Sequence, residues 1–139
     1  MPTYKDIDSS ILKSLPNPEQ EGYENRLEIP EFTFLGVGKQ PDFGYIRLWF
    51  YAEKKVIELK SLKEYLFQYR DMVISYERAI NCIYKDLVKV YEPFRLRIEI
   101  SFRPRGGISS HLTIDSDWGC RGGSDKLWQE HKVHPLPKL

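Results

Sequence analysis

The sequence predicts an α+β chain whose elements run strand, strand, helix, helix, strand, strand. Three observations carry that expectation. Ile46, Leu48 and Phe50 alternate with Arg47 and Trp49, and Leu96, Ile98, Ile100 and Phe102 alternate with Arg95, Arg97, Glu99 and Ser101. Such period-two patterns mark strands with one buried face. Between them lie two stretches with apolar residues at helical spacing: Leu62, Tyr65, Leu66 and Tyr69, then Ile80, Ile83, Leu87 and Tyr91. Strands grouped apart from helices favour α+β over an alternating α/β order.

Each element has a local reason. Residues 1–23 are polar and contain prolines, and are expected as an extended surface arm. Leu27, Ile29, Phe32 and Phe34 form a strand that Pro30 interrupts, so it belongs at a sheet edge or carries an irregularity. The second strand covers Tyr45 to Tyr51, and Gln40-Pro41-Asp42 before it reads as a turn. Ser61-Leu62-Lys63-Glu64 has the form of a capping box, with Ser61 as the expected N-cap of the first helix. Ser75 suits the N-cap of the second helix, and Pro93 ends it. The third strand follows, Gly106-Gly107 turns the chain, and Ile108 to Ile114 returns as the fourth. From Ser116 to Leu139 the sequence is a polar tail.

Bulk properties narrow the function. A chain of 139 residues, 41% hydrophobic and 14% aromatic, is expected to be one domain with a real core. A net charge of +1 provides no electrostatic footprint for nucleic acid. No apolar run reaches the length of a membrane span, and Met1-Pro2-Thr3-Tyr4-Lys5-Asp6 lacks a signal-peptide core. Two cysteines, Cys82 and Cys120, make no disulfide framework, and the expected location is the cytoplasm. His111, His131 and His134 have no metal-ligand spacing with either cysteine, so no metal is expected. Cys82 sits on the second helix among Ile80 and Ile83, where an inert thiol is the plain reading. Cys120 lies beside Arg121 in a glycine-containing stretch, a setting that lowers a thiol pKa.

Lys60 and Lys63 flank the start of the first helix. Cations there oppose the helix dipole, and a bound anion would reverse the penalty. The plain alternative is two solvated lysines. Glu77, in the first turn of the second helix, is favourable as a dipole partner without any ligand. Arg105 before Gly106-Gly107 is either an exposed hairpin residue or a phosphate contact with close backbone approach.

The stretch Glu58-Leu59-Lys60-Ser61-Leu62-Lys63-Glu64-Tyr65 resembles the signature of the QueF family, NADPH-dependent nitrile reductases that convert 7-cyano-7-deazaguanine to its aminomethyl product. The resemblance runs from Pro30-Glu31-Phe32-Thr33 through Gln40-Pro41-Asp42-Phe43 and Ser75-Tyr76-Glu77 to Pro104-Arg105-Gly106-Gly107-Ile108-Ser109, about two thirds of the chain. It implies the tunnel fold over 24–115: an antiparallel sheet with two helices on one face, subunits assembling into a homo-oligomeric ring with sites between neighbours. An open four-stranded sheet has two edges that such a ring would pair. The resemblance further implies Glu77, with Glu58, Leu59 and Tyr76, as binders of a purine or 7-deazapurine ligand. It implies Lys60, Lys63, Arg105 and Gly106 at NADPH, and Asp42 as proton donor.

Three positions depart from that pattern. Glu64 stands where the family has an apolar or aromatic residue. Gly36 stands at the nucleophilic cysteine's position, and Tyr76 at that of a histidine. A nitrile is a poor hydride acceptor without a preceding thiolate addition. The expectation is therefore an NADPH-dependent reductase of a C=N bond in a deazapurine, purine or pterin-like ring, without a covalent thioimide. The alternatives are a catalytically inactive binding or partner subunit, a nitrile reductase that recruits Cys120, and an amidine-forming enzyme resembling archaeosine synthase.

Overall fold

The computed structural model describes residues 2–117. Cys120, Trp128, His131 and His134 lie outside the described residues. Six strands and two α-helices follow in order: β1 (Ser14–Pro16), β2 (Asn25–Leu35), β3 (Pro41–Tyr51), β4 (Lys55–Ile57), α1 (Leu59–Phe67), α2 (Tyr76–Tyr91), β5 (Arg95–Arg105) and β6 (Ile108–Asp115). The main sheet has the order β2-β3-β5-β6 and is antiparallel throughout.

The two expected helix faces are the ones that pack. Leu62, Tyr65, Leu66 and Tyr69 are buried, as are Ile80, Ile83, Leu87 and Tyr91. They cover the sheet face that carries Phe32 and Phe34, Ile46, Leu48 and Phe50, and Leu96, Ile98, Ile100 and Phe102 in a single cluster. Ser75 is the N-cap of α2 and accepts from the Arg78 N–H, while Glu92 closes the helix in the left-handed region just before Pro93. Pro30 does both things expected of it: β2 is an edge strand, and its register with β3 shifts between Ile29 and Phe32. Gly106 and Gly107 both take positive φ, 58° and 80°, in the two-residue connection that joins β5 to β6. A type I′ hairpin turn requires this pair of conformations.

The structure corrects three local expectations. Glu58, not Ser61, caps α1: its carboxylate accepts the N–H groups of Lys60 (2.9 Å) and Ser61 (3.0 Å). Ser61 is buried within the first turn, where its hydroxyl donates to the Glu58 carbonyl and accepts from the Lys13 N–H. Pro41 and Asp42 belong to β3 rather than to a turn; the reversal lies at Gly36–Lys39, closed by Lys39 N–H to Gly36 O and Gly36 N–H to Gln40 O. Residues 1–23 are more than an arm. Ser14–Pro16 pairs with Lys55–Ile57, and Leu12 is buried in the core. Short 3-10 turns at Tyr4–Asp6 and Ser9–Ile11 lead into it.

The opposite sheet face is ionic. Glu99 pairs with Arg47 at 2.5 Å, and Asp115 takes Arg95 at 2.7 Å and Arg97 at 3.0 Å. Burial pushes the Asp115 carboxyl up, but hydrogen bonds from Arg95, the Asp117 N–H and Arg97 outweigh it and hold it below the ordinary carboxylate value. A carboxylate held low contributes stability above the unfolded-state value of about 3.9 and loses it as pH falls through the folded value. Asp115→Asn should therefore cost about 3 kcal/mol at pH 7, because it removes the buried charge that Arg95 and Arg97 share, although Arg95 keeps Asp117 at 3.2 Å. Urea denaturation should show the gap between wild type and variant closing as pH drops below about 4; a gap independent of pH would contradict this account.

Candidate functional site

The pleat of β3 builds the site. Asp42, Gly44, Ile46, Leu48 and Phe50 share the helix-facing side, so Asp42 enters the interior and is 3% exposed. It stands opposite Phe34 of β2. Gly44, two residues on, lies under Phe102 and Phe32; a Cβ there would come within 3.1 Å of Ile100 Cγ2. That thin spot makes room for aromatic rings. Tyr76 lies flat on Phe102, with ring centroids 4.0 Å apart and planes 9° apart, and meets Phe34 edge-on at 5.9 Å.

The end of β2 fixes the other wall. Leu35 exchanges backbone hydrogen bonds with the segment before α2, accepting from Ile74 and donating to Met72. This tie sets Gly36 and the first turn of α2 beside Asp42. The Tyr76 hydroxyl donates to Asp42 Oδ1 at 3.3 Å, a long bond. Burial raises the Tyr76 phenol above its ordinary value, the charge and hydrogen bond of Asp42 and the charge of Glu77 raise it further, and Arg105 opposes them. Asp42, Glu77 and Arg105 thus all act on Tyr76. Arg105 reaches back from the β5–β6 hairpin, holding Gln40 Oε1 at 3.0 Å and lying 3.5 Å from Asp42 Oδ2.

Gly36 is buried in this corner, and no side chain fits there as the corner stands. A Cβ at Gly36 would lie 2.8 Å from Asp42 Oδ2 and 3.3 Å from Arg105 Nη1. The carboxylate and the guanidinium occupy the space that a cysteine would need. Sequence alone identified the glycine but had no means of showing what fills the gap.

The expected cation cluster does not form as one group around the first helix. Glu58 already satisfies the first N–H groups of α1, so the anion expected at that helix start would have to compete with a carboxylate. Lys63 instead lines a cleft of about 580 Å³ between the β2 edge and α1, with Leu59, Phe67 and Arg70. Arg70 stacks 4.2 Å over the Phe67 ring, and Lys63 approaches the same ring at 5.6 Å. Lys60 is exposed on the same helix, whereas Arg105 is engaged at Asp42 and Gln40. Arg70 was not among the residues singled out from sequence; its spacing of seven from Lys63 is the signal that could have found it. Gly106 sits exposed in the hairpin turn.

Glu77 is exposed at the start of α2 and lines a second cleft with Tyr4, Lys5, Arg78 and Asn81. Asp42 does not line that cleft. Cys82 is half-buried beside Asp86, and burial pushes its thiol up, which disfavours the thiolate. His111 is exposed on β6 and bonds Ser101. Among the described residues no group of His, Cys, Asp and Glu has a metal-holding arrangement, and no helix is long and apolar enough to cross a membrane.

These features define an antiparallel α+β subunit with a buried carboxylate, a phenol and a guanidinium at one end of its sheet. Residues 41–119 match the family model described as QueF-like protein. The chain is 40% identical over 108 residues to the NADPH-dependent 7-cyano-7-deazaguanine reductase of Magnetococcus marinus, covering 76% of this chain and 84% of that one. It is 35% identical over 131 residues to the reductase of the same name from Bacteroides thetaiotaomicron, covering 93% and 85%. The fold is also that of the archaeosine synthase QueF-Like in its apo form, with a TM-score of 0.60 at 16% identity over 67% of this chain and 92% of that one. The chain belongs to the QueF family.

Overpacking the corner at Gly36 should be felt directly. Gly36→Ala should lower stability by about 1–3 kcal/mol, the usual cost of forcing extra carbon into a packed site. Urea titration of the variant tests this; an unchanged midpoint would mean that Asp42 moves aside freely.

Proposed function

We propose that this chain binds a purine-type ring of the 7-deazaguanine class and reduces a C=N bond on it without forming a covalent adduct. The observation that carries this reading is the corner at Gly36. The nucleophile's position has no side chain and no room for one, while the buried Asp42 keeps its hydrogen bond to Tyr76. Acid–base equipment is in place where covalent equipment is not.

Each residue then has a task. Glu77 accepts two parallel N–H groups from the ring, an arrangement that fixes one purine edge. Glu58 and Leu59 shape the approach beside α1. The relatives are named NADPH-dependent, and the Lys63–Arg70–Phe67 rim fits a phosphate-bearing dinucleotide, offering two cations and an aromatic face in one cleft. Lys60 adds a further cation on the same helix, and Arg105 and Gly106 remain candidates from the hairpin. NADPH, when bound, supplies the hydride that adds to the carbon of the C=N bond. The electron pair displaced onto nitrogen takes a proton, and Asp42, the proton donor that the resemblance implies, is the candidate to give it, with Tyr76 holding its carboxyl group.

A second reading is a binding or partner subunit without turnover. What favours it is Arg105, which lies on Asp42 and Gln40 rather than in the Lys63 cleft. Recruitment of Cys120 for nitrile reduction depends on a residue outside the described ones. Amidine formation has only the shared fold in its favour.

Fluorescence titration in the presence of a 7-deazaguanine decides between reduction and binding. NADPH should bind more tightly than NADH, since each charge-assisted hydrogen bond to the 2′-phosphate contributes about 1.5–3 kcal/mol. Glu77→Ala should abolish binding of the deazaguanine and leave the fold intact. Absence of NADPH binding at millimolar concentration would leave only the binding-protein reading.

The ring assembly is part of the same proposal. β2 and β6 are the edges of the sheet, and beside β2 the helix α1 presents Leu59 and Phe67, 58% and 43% exposed. Pairing of these edges between copies would protect them and would complete sites left open in one subunit. Sedimentation should find an oligomer at micromolar concentration; a stable monomer would rule the ring out.

A further inference from the structure

Asp42 is short of hydrogen-bond donors. Its side chain is 4% exposed, yet among the described residues Oδ2 accepts no hydrogen bond. Oδ1 has only the long contact from Tyr76 at 3.3 Å. A buried carboxylate has about four lone-pair sites to satisfy, and leaving them unmet is costly. What stands nearest Oδ2 is a cation, the Arg105 guanidinium at 3.5 Å, on a side chain that is 42% exposed. A second acceptor faces the same point: the position of a Gly36 Cβ is 2.8 Å from Asp42 Oδ2 and 3.6 Å from the Gln40 carbonyl oxygen. Loss of the side chain at position 36 has left an acceptor-lined corner held by a weakly engaged, displaceable cation.

We propose that this corner is a subsite for a cationic N–H group on the ligand, so that the chain selects a 7-deazaguanine carrying a primary ammonium over one carrying a nitrile. An ammonium brings three donors and a positive charge to Asp42 Oδ2 and the Gln40 carbonyl, and takes the place of the Arg105 guanidinium. A nitrile nitrogen brings only a lone pair and leaves Asp42 Oδ2 without a donor, while the Gln40 carbonyl already accepts the Gly36 N–H at 2.8 Å. Discrimination of this kind is strong because the wrong ligand leaves the site's own polar groups unpaired. A protonated C=N group, which also presents N–H donors, satisfies the corner in the same way. The proposal rests on Glu77 anchoring the ring, as above.

Isothermal titration of the full chain with three probes separates the two ideas: 7-aminomethyl-7-deazaguanine, 7-cyano-7-deazaguanine, and 7-deazaguanine with no substituent at that carbon. The aminomethyl probe should bind at least about tenfold more tightly than the nitrile, or about 1.4 kcal/mol. Asp42→Asn should erase that preference and leave the unsubstituted probe's affinity unchanged. Should that variant not fold, Arg105→Gln provides the second measurement: removing the competing cation should raise affinity for the aminomethyl probe and not for the nitrile. Equal or tighter nitrile binding by the wild type, a preference that survives Asp42→Asn, or no selective gain with Arg105→Gln overturns the inference. If the unsubstituted probe binds without any aminomethyl preference, only the subsite fails. If none of the three binds at millimolar concentration, the purine reading fails and the subsite with it.

Discussion

The site depends on one constraint: the two-residue period of β3 carries a carboxylate into the same face that carries Ile46, Leu48 and Phe50 into the core. An ionised group cannot stay there without partners. Everything at that end of the sheet answers to it. Tyr76 donates across from α2, Arg105 reaches back from the hairpin, and position 36 yields the space in which the carboxylate rests. Shifting the strand by one residue would put Asp42 outside and Phe43 inside, and the corner would cease to exist.

The aromatic residues make that arrangement rigid. Phe32 and Phe34 come from β2 and Phe102 from β5, and Tyr76 meets Phe34 and Phe102 from the helix layer. Packed rings at these distances add a modest directional preference to a large apolar burial. The tie between Leu35 and Met72–Ile74 holds the start of α2 against the end of β2, so the phenol cannot drift from the carboxylate without opening the core. Farther along, Tyr65 bonds both Tyr69 and Asp86, a buried polar chain that pins α1 to α2.

Family membership and site chemistry point in different directions, and the geometry explains how both hold. The chain keeps the family's fold and much of its sequence. Beside Gly36, the position that the resemblance equates with a nucleophile, it holds a carboxylate with a guanidinium 3.5 Å away. The relation between the Lys63 cleft and the Asp42 corner also differs from a simple reading of the motif, because Glu58 takes the helix N-terminus that an anion would otherwise use. A carboxylate there is favoured by the helix dipole for the same reason that a phosphate would be.

By itself the sequence determined the sheet and both helices. Period-two alternation in β3 and β5 and the helical spacing from Leu62 to Tyr69 and from Ile80 to Tyr91 are local signals, and the apolar positions they pick out are buried, although Trp49, Arg97 and Glu99 on the other sheet face are buried too. Pro30 and the Gly106-Gly107 pair were equally legible, because φ restriction and positive φ are properties of single residues. Tertiary structure decided the rest. Whether Ser61 or Glu58 caps α1 depends on Lys13, forty-eight residues away, which takes the serine's hydroxyl into the core. Whether Pro41-Asp42 is turn or strand depends on pairing with Phe34 and Leu35 across the sheet. Arg105 and Lys63 carry the same charge sign in the sequence, but one lies against a buried acid and the other faces an open cleft. Those outcomes are set by contacts between residues far apart in the chain, and no local pattern encodes them.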